Sequence, residues 1–474
     1  MEELRNQPPL ESSAEDAWTP GVVHVVFKEP FDRETLESVL ADPGKESDAF
    51  PVVRQVAREF GPLNFAPTFS IPPLTREENP PPGRERYYTL YFPRDRDVVR
   101  IAERLREDSS VERAAPAPQI APPSSPLGEP YVQASPSDPD KQWYIPRCKI
   151  DQAWSLKQSG FFSGLGVVVA DIDWGFLTSH PEFNMRIEYK YNSLDGTNYV
   201  DEGNQINHGT AVLGLLGAGA NGQGMAGVAY GASLWAIQAD DGADHDPSLG
   251  AFPFWVKALD HVRTTDSGGR PKIICLEAET KTHLNIESDI AVNKAIRDAI
   301  AAKIVVCVPA GNGGQDAGMN GEGLPFECTD SILVGATIFD AAPDLNIQAA
   351  FSNWGERVVV SAPGDRNYDL TCSSGADPYQ SNFGQTSGST PKVAGTVALM
   401  LEANPSLTHA EIRSILKATG SPIDGPQTKP IGTFLNACAA VQEAQLRASG
   451  PLLRLARRVL SFLFPTAKKF KTPN

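Results

Sequence analysis

The sequence predicts an α/β fold in which a parallel sheet with helices on both faces follows a smaller α+β domain. Short apolar runs bounded by Gly, Asp or Asn alternate with helical patterns from residue 142 onward, which is typical of strands buried on both faces. A proline-rich stretch at residues 115–141 separates this region from a shorter mixed pattern. A chain of 474 residues can bury more than one core, so we expect two domains.

The smaller domain is predicted at residues 21–114, after a polar, acidic segment at 1–20 that we expect to be disordered. Its strand patterns occupy residues 22–27, 65–71, 86–92 and 111–114, and its helix patterns occupy 33–40, 52–60 and 97–107. This order predicts a ferredoxin-like α+β domain with its helices on one face of an antiparallel sheet. Because proline lacks the N–H that a strand ladder needs, we expect no strand within the linker.

The larger domain is predicted at residues 142–445. Its strand patterns occupy residues 166–170, 234–238, 272–276, 303–308 and 332–335, and helix patterns lie at 254–264 and 286–302. In such a sheet the functional site lies beyond the carboxyl ends of the strands. A basic tail at 446–474 follows, with arginines on one helical face and apolar residues on the other. We expect this tail either to cover an apolar patch of the protein or to contact an acidic membrane surface.

The charge and cysteine patterns exclude several classes of protein. A net charge of −16 argues against broad nucleic-acid binding, which needs a basic surface. No segment reaches the ~20 apolar residues of a membrane span. Six cysteines without paired short spacing indicate free thiols rather than disulfides or a metal site. Since the amino terminus lacks a signal-peptide pattern, we expect a cytoplasmic protein; the alternative is secretion by a route without a recognisable signal.

The segment at residues 384–395 carries the first candidate catalytic residue. It places Ser387 at the start of a helix of small residues. The unpaired N–H groups and the positive dipole end of such a helix would stabilise negative charge that develops beside the serine. A serine hydroxyl becomes a nucleophile only with a base, and the base needs a group that orients it.

Candidates for these supporting roles lie at strand and helix ends. Asp173 closes a predicted strand just before the turn at Gly175, and Asp171 lies two residues earlier on the same face. If both carboxylates are buried and close together, the pKa of one of them should rise, and only the other need be ionised to orient the base. The turn glycine that follows Asp173 favours Asp173 as the orienting carboxylate. His208 opens a helix whose small residues allow close packing. Asn312 lies at a glycine-flanked strand end and could donate to an oxyanion, although alone it would indicate a turn.

Four segments, taken in order, resemble those of the subtilisin-like serine proteases, the subtilases. They are Asp-x-Gly at 173–175, His-Gly-Thr at 208–210, Ala-Gly-Asn-Gly at 310–313 and Thr-Ser-x-Ser-x-Pro-x-Val-Ala-Gly at 386–395. The chain order Asp, His, Ser is that of subtilisin. The resemblance spans residues 142–440 and implies a subtilisin-like catalytic domain with a parallel sheet. The domain at 21–114 is similar in its pattern to the propeptides of such proteases.

The resemblance implies a serine endopeptidase made as a zymogen, with its own N-terminal domain as inhibitor and peptides or proteins as substrates. In this role His208 is the base, Asp173 orients it, and Asn312 and the Ser387 N–H bind the oxyanion. No cofactor or catalytic metal is required. The alternatives are a binding protein on a catalytically silenced subtilase fold, and an esterase or amidase that uses the same residues.

Some positions depart from the family pattern. Gln385 and Lys392 replace the usual glycine and histidine on either side of the nucleophile. The residues that the resemblance assigns to substrate binding are Glu277, Ala278, Glu279 and Gly311. The two glutamates predict a preference for basic side chains in the substrate; the alternative is that they face away from it. The aspartate-rich loop at 240–246 lies at another part of the cleft and could hold a structural calcium ion, although its spacing matches no known ligand loop.

Overall fold

Two compact units make up the computed structural model, with the division between Pro122 and Pro123. It describes residues 18–28, 32–44, 48–61, 64–67, 86–93, 95–118, 125–132, 141–183, 186–201, 206–240, 252–339, 345–365, 369–375, 377–425 and 428–448. Most of the predicted disordered segment, residues 241–246 of the aspartate-rich loop and nearly all of the basic tail lie outside these ranges. The expectations for those segments stay predictions.

The described residues of the N-terminal unit form an antiparallel sheet with three helices. Its strands are β1 (Trp18–Phe27), β2 (Asn64–Pro67), β3 (Tyr87–Tyr91) and β4 (Val111–Pro118), and its helices are α1 (Arg33–Ala41), α2 (Pro51–Phe60) and α3 (Val98–Arg106). The strands lie side by side in the order β2, β3, β1, β4, and every neighbouring pair is antiparallel. Apolar side chains from strands and helices form one core of their own. This is the α+β arrangement that the element order predicts.

The prolines after residue 114 do not end the sheet, contrary to the expectation for the linker. Strand β4 continues to Pro118, and Pro116 pairs with Val23 of β1. The reason is that, among the described residues, β4 has a neighbouring strand, β1, on one side only. A proline at such a sheet edge can lack its N–H without the loss of a ladder hydrogen bond. The unit therefore extends at both ends beyond the predicted residues 21–114.

The C-terminal unit contains a parallel sheet of eight strands. They are β5 (Val168–Asp173), β6 (Ile187–Asn192), β7 (Ser233–Gln238), β8 (Lys272–Leu276), β9 (Val305–Pro309), β10 (Ile332–Thr337), β11 (Val358–Pro363) and β14 (Thr433–Phe434). Their order is β14, β11, β10, β9, β8, β5, β7, β6. Two further strands, β12 (Asp369–Cys372) and β13 (Tyr379–Phe383), form a separate antiparallel pair. All five predicted strands are present, and each is fully or almost fully buried, as a sheet covered on both faces requires.

Helices cover both faces of this sheet. They are α4 (Tyr144–Arg147), α5 (Ile150–Trp154), α6 (Ile206–Gly217), α7 (Phe252–Thr264), α8 (Ile290–Ala301), α9 (Thr386–Ala403), α10 (His409–Thr419) and α11 (Ala437–Ala448). Helix α9 packs against both α6 and α11, and α7 packs on α8. The predicted α/β class with helices on both faces is confirmed. In the described part of the chain, no helix is both long and apolar enough to span a bilayer.

Helix α9, which carries Ser387, is anchored at both ends. Near its start the Ser389 hydroxyl donates to the Ala362 carbonyl oxygen at 2.9 Å. At its other end the buried Glu402 carboxylate accepts the N–H groups of Ser163 and Gly164 at 2.7 and 2.6 Å. A carboxylate that accepts several backbone N–H groups makes strong, charge-assisted bonds. These contacts fix the position of the helix on the sheet, and with it the position of the serine.

Candidate active site

Asp173 and His208 are joined in the geometry expected of a base and its orienting carboxylate. His208 Nδ1 lies 2.9 Å from both carboxylate oxygens of Asp173. Asp173 ends β5, is fully buried, and its Oδ1 accepts the N–H of Trp174 at 2.7 Å. A carboxylate at Nδ1 keeps the ring proton there, so Nε2 is left as the basic nitrogen.

Close packing between α6 and the end of β5 brings these two residues together. A Cβ at Gly209 would lie 2.4 Å from the Gly175 carbonyl oxygen, so only glycine lets the helix approach the strand end this closely. One residue further, Thr210 Oγ1 accepts the N–H of Leu177 at 2.9 Å. The His-Gly-Thr and Asp-x-Gly segments are therefore complementary parts of one contact.

Two aromatic rings pack against the His208 imidazole. The ring centroids of Trp174 and Phe383 lie 5.0 and 5.2 Å from it, both in edge-on arrangements. The His208 side chain keeps 23% exposure, so one edge of the ring still reaches solvent. Neither aromatic residue was identified from the sequence. Trp174 adjoins Asp173 and could have been, whereas Phe383 comes from β13 and carries no local signal.

Asp173 has two further buried acids as neighbours, Asp171 and Glu277. Asp171 is fully buried, and neither of its carboxyl oxygens has a hydrogen-bond partner among the described residues. Burial, together with the nearby Asp173 and Glu277 carboxyls, raises the pKa of Asp171 well above its usual value. Burial also raises the pKa of Asp173, but the contact with His208 opposes that rise. The raised pKa of Asp171 favours its neutral form, whereas the contact with His208 favours the ionised form of Asp173.

Glu277 is a neighbour of Ser387, whose hydroxyl contacts its carboxyl group. Strand β8 ends at Leu276, but the Glu277 N–H still donates to the Ile172 carbonyl oxygen of β5 at 3.1 Å. The Glu277 side chain is fully buried, and the Cys275 thiol donates to its Oε1 at 3.3 Å. Burial and the Asp173 charge raise the pKa of Glu277 well above its usual value, while contacts with the Cys275 thiol and the Ser387 hydroxyl partly oppose that rise.

Ser387 is the second residue of α9 and is half-buried. The residue before the helix, Gln385, has φ 62° and ψ −160°, a backbone region that is almost restricted to glycine. Glycine adopts this backbone region without strain, which explains why the family has a glycine here. The glutamine at position 385 is strained by about 1–3 kcal/mol.

In the described part of the chain, the hydrogen bonds of the His208 ring go to Asp173 alone. A bond from serine to base commonly tightens only when the substrate binds.

Asn312 connects the end of β9 to the start of α9. Its Oδ1 accepts the backbone N–H of Thr386 at 3.0 Å and the Thr386 hydroxyl at 2.8 Å. Its amide Nδ2 donates to Glu279 Oε2 at 2.9 Å. The side chain therefore lies beside the residue that precedes Ser387. Thr386 was not identified from the sequence, although its position next to the nucleophile is a usable signal.

The residues expected to bind substrate do not form an open edge. Glu277 is fully buried, so the expectation that it presents a carboxylate to the substrate is wrong, because its backbone continues the pairing of β8 with β5. Ala278 is only 3% exposed. Gly311 has φ 98°, and a Cβ there would lie 2.4 Å from Asn353 Nδ2, so this glycine is covered by protein rather than open to a ligand. Glu279, at 24% side-chain exposure, is the most accessible of the four.

Lys392, the second departure beside the nucleophile, is a buried cation with defined partners. Its Nζ donates to the carbonyl oxygens of Pro363 and Gly388 at 2.8 and 2.9 Å and lies 4.3 Å from the ring centroid of Tyr144. Carbonyl oxygens and the face of an aromatic ring both stabilise a buried ammonium group. The lysine thus contributes to the attachment of α9 to the sheet.

The described residues contain no group of three or more His, Cys, Asp or Glu side chains that could hold a metal ion. The aspartate-rich loop, where the sequence suggests calcium, lies largely outside them, so that expectation stays a prediction. All six cysteines are described, and all are free thiols.

Ionisation of Glu277 should destabilise the fold, and Glu277→Gln should remove that effect. Because its folded pKa is raised above the ordinary value of 4.5, the unfolded chain ionises first as the pH rises. The contribution of Glu277 is therefore expected to lower the free energy of unfolding of wild type from about pH 4.5 upward, until the folded pKa is passed. The Glu277→Gln variant lacks this contribution. Melting temperatures between pH 4 and pH 9 test this, with exposed Glu322→Gln as the control. A constant difference between wild type and Glu277→Gln at every pH would contradict the expectation.

Known proteins with similar sequence and structure point to one family. Residues 164–440, more than half of the chain, match the model described as the subtilase family. Subtilisin E from Bacillus subtilis is 29% identical over 270 residues, which are 57% of this chain and 64% of that protein. The chain thus spans less than two thirds of the length of this relative.

Two solved structures agree in fold. Proteases from Pseudoalteromonas arctica match with a TM-score of 0.51 at 25% identity, covering 66% of this chain and 100% of theirs. Fervidolysin from Fervidobacterium pennivorans, a keratinolytic enzyme related to subtilisin, matches in fold with a TM-score of 0.51 at 18% identity, covering 90% of this chain and 61% of its own. With the family match over the residues that hold Asp173, His208, Asn312 and Ser387, these likenesses show that the chain belongs to the subtilase family.

Proposed function

We propose that this protein is a serine endopeptidase that hydrolyses peptide bonds through an acyl-enzyme on Ser387. The observation that carries the proposal is the Asp173–His208 pair, with Nδ1 at 2.9 Å from both carboxylate oxygens, in a subtilase fold that places Ser387 at a helix start. The surrounding buried acids support the same role, since burial raises the pKa of Asp171 and Glu277 and favours their neutral forms, whereas His208 favours the ionised form of Asp173.

The proposed reaction follows from the positions of these groups. Ser387 Oγ attacks the substrate carbonyl carbon while His208 Nε2 takes its proton, and Asp173 stabilises the imidazolium that forms. The carbonyl oxygen becomes an oxyanion, which accepts hydrogen bonds from the Ser387 N–H and the Asn312 amide. His208 then gives the proton to the leaving amine. Water, activated by the same histidine, releases the acyl group.

The N-terminal unit is proposed to act as an inhibitory propeptide. It has its own core and sheet, and the chain divides between Pro122 and Pro123. Such a unit can fold by itself and be removed by cleavage in the region 115–146. We also propose that the basic tail contacts an acidic membrane surface and that the protein is cytoplasmic.

A preference for basic side chains in the substrate is a separate part of the proposal. Glu277 cannot contribute to it, since its carboxyl is buried. The Glu279 carboxylate is taken up by Asn312 and His283, so the acidic residues at 240–246 are the groups that would attract arginine or lysine. A peptide library without enrichment of these two residues would remove this part alone.

The test of the function is the intact mass of wild type and Ser387→Ala before and after a fluorophosphonate probe. Wild type should be cut within residues 115–146 and should gain one label, because the probe reacts with an activated serine. The alanine variant should be neither cut nor labelled. An uncut wild type that still labels would disprove only the zymogen part. A wild type that neither labels nor cleaves a denatured protein would contradict the proposed activity and favour a silenced binding protein.

A further inference from the structure

The carboxylate of Glu279 contacts the oxyanion asparagine at two points. Its Oε2 accepts both the backbone N–H and the side-chain Nδ2–H of Asn312, each at 2.9 Å. Its other oxygen, Oε1, lies 2.8 Å from Nδ1 of His283. Both carboxylate oxygens thus have partners: Oε2 binds the two N–H groups of Asn312, and Oε1 binds the His283 ring.

These contacts leave the Asn312 side chain one orientation. At its other end, Oδ1 accepts from the N–H and the hydroxyl of Thr386. A backbone N–H can only donate and a carboxylate can only accept, so an exchange of the amide oxygen and nitrogen would break both ends. An amide nitrogen carries two hydrogens. Glu279 takes one, and the second remains for the oxyanion that forms at Ser387.

The turn that carries Glu279 is itself anchored. Glu279 bridges to Asn285 across the turn, and the Thr280 N–H donates to the Leu284 carbonyl oxygen at 2.9 Å. The His283 carbonyl oxygen accepts from Asn353 Nδ2 at 2.7 Å. The same Asn353 accepts the Gly313 N–H at 3.0 Å, one residue after Asn312. One side chain therefore ties the glutamate turn to the asparagine loop.

We propose that Glu279 is a positioning residue: it holds the Asn312 amide so that its second N–H faces the oxyanion. This role rests on the proposed function. Glu279 does not touch the reacting atoms, so its effect on turnover must pass through Asn312. The effect also requires an acceptor oxygen at this position rather than a negative charge, so glutamine should replace glutamate in the role.

A double-mutant cycle tests this dependence. Glu279→Ala should lower kcat by about tenfold or more, but by less than Asn312→Ala, with a small change in KM. Glu279→Gln should stay within a few-fold of wild type. In the Asn312→Ala background, Glu279→Ala should have no further effect, because the residue through which it acts is gone. Lys281→Ala, an exposed residue of the same turn, is the matched control.

Specific outcomes would overturn the proposal. An equal loss from Glu279→Ala in both backgrounds would assign the effect to general stability, and an unchanged or increased kcat would show that no positioning is needed. A crystal structure of Glu279→Ala gives a readout independent of turnover. In it the Asn312 amide should occupy more than one orientation, and a single unchanged orientation would refute the proposal even if the wild type cleaved no peptide. Failure of fluorophosphonate labelling in the wild type would instead contradict the proposed function.

Discussion

Replacing Asp173 by asparagine should lower kcat by about 10⁴-fold with little effect on the fold. In wild type, Asp173 accepts both the Trp174 N–H and the Nδ1 proton of His208. An asparagine can keep the bond from Trp174 with its oxygen, but its NH₂ group then faces Nδ1 and can only donate. The imidazole is forced to carry its proton on Nε2, where it cannot accept the proton of Ser387.

Asp171→Asn is the matched control for this variant. The two residues lie on the same strand, and both are fully buried. The pKa of Asp171 is raised well above its usual value, which favours the neutral acid, and asparagine has nearly the same shape as that form, so kcat should change little. Steady-state kinetics on one peptide substrate, with circular dichroism to confirm folding, compare the two. Equal losses in both variants would mean that the buried acids act as a group and that Asp173 has no special role.

Asn312→Ala should lower kcat by about 10²- to 10³-fold, the effect typical of removing one oxyanion donor. The oxyanion exists only after the serine attacks, so KM should stay close to that of wild type. The affinity for an aldehyde inhibitor, which forms a tetrahedral adduct with the serine, should fall by a similar factor, since the adduct needs the same donor.

Loss of the Asn312 contacts with Thr386 and Glu279 will also reduce stability, so melting temperatures should accompany the kinetics. Asn346→Ala, which removes a surface amide bound to the Pro422 carbonyl oxygen, is a suitable control for a lost asparagine. Turnover near that of wild type in the Asn312 variant would overturn the assignment of this residue to the oxyanion.

Much of the site was predictable because its main residues sit in short segments whose local geometry explains them. Asp173 ends a strand and precedes a turn glycine, His208 opens a helix that needs a glycine to approach that strand, and Ser387 opens another helix. The alternation of buried strands and helices also predicted the parallel sheet. These features depend on residues close together in the chain, so the sequence alone determined them.

The tertiary structure decided what the glutamates near the nucleophile do. From the sequence, Glu277 and Glu279 looked equivalent, two positions apart with a residue between them. The fold buries Glu277 because its N–H still pairs with β5, and it directs Glu279 to Asn312 because a bridged turn reverses the chain there. Likewise, the prolines of β4 are tolerated only because that strand lies at a sheet edge. Each outcome depends on which distant segment lies beside the residue, namely Ile172 for Glu277, Asn312 for Glu279 and β1 for the prolines, and no local pattern specifies these neighbours.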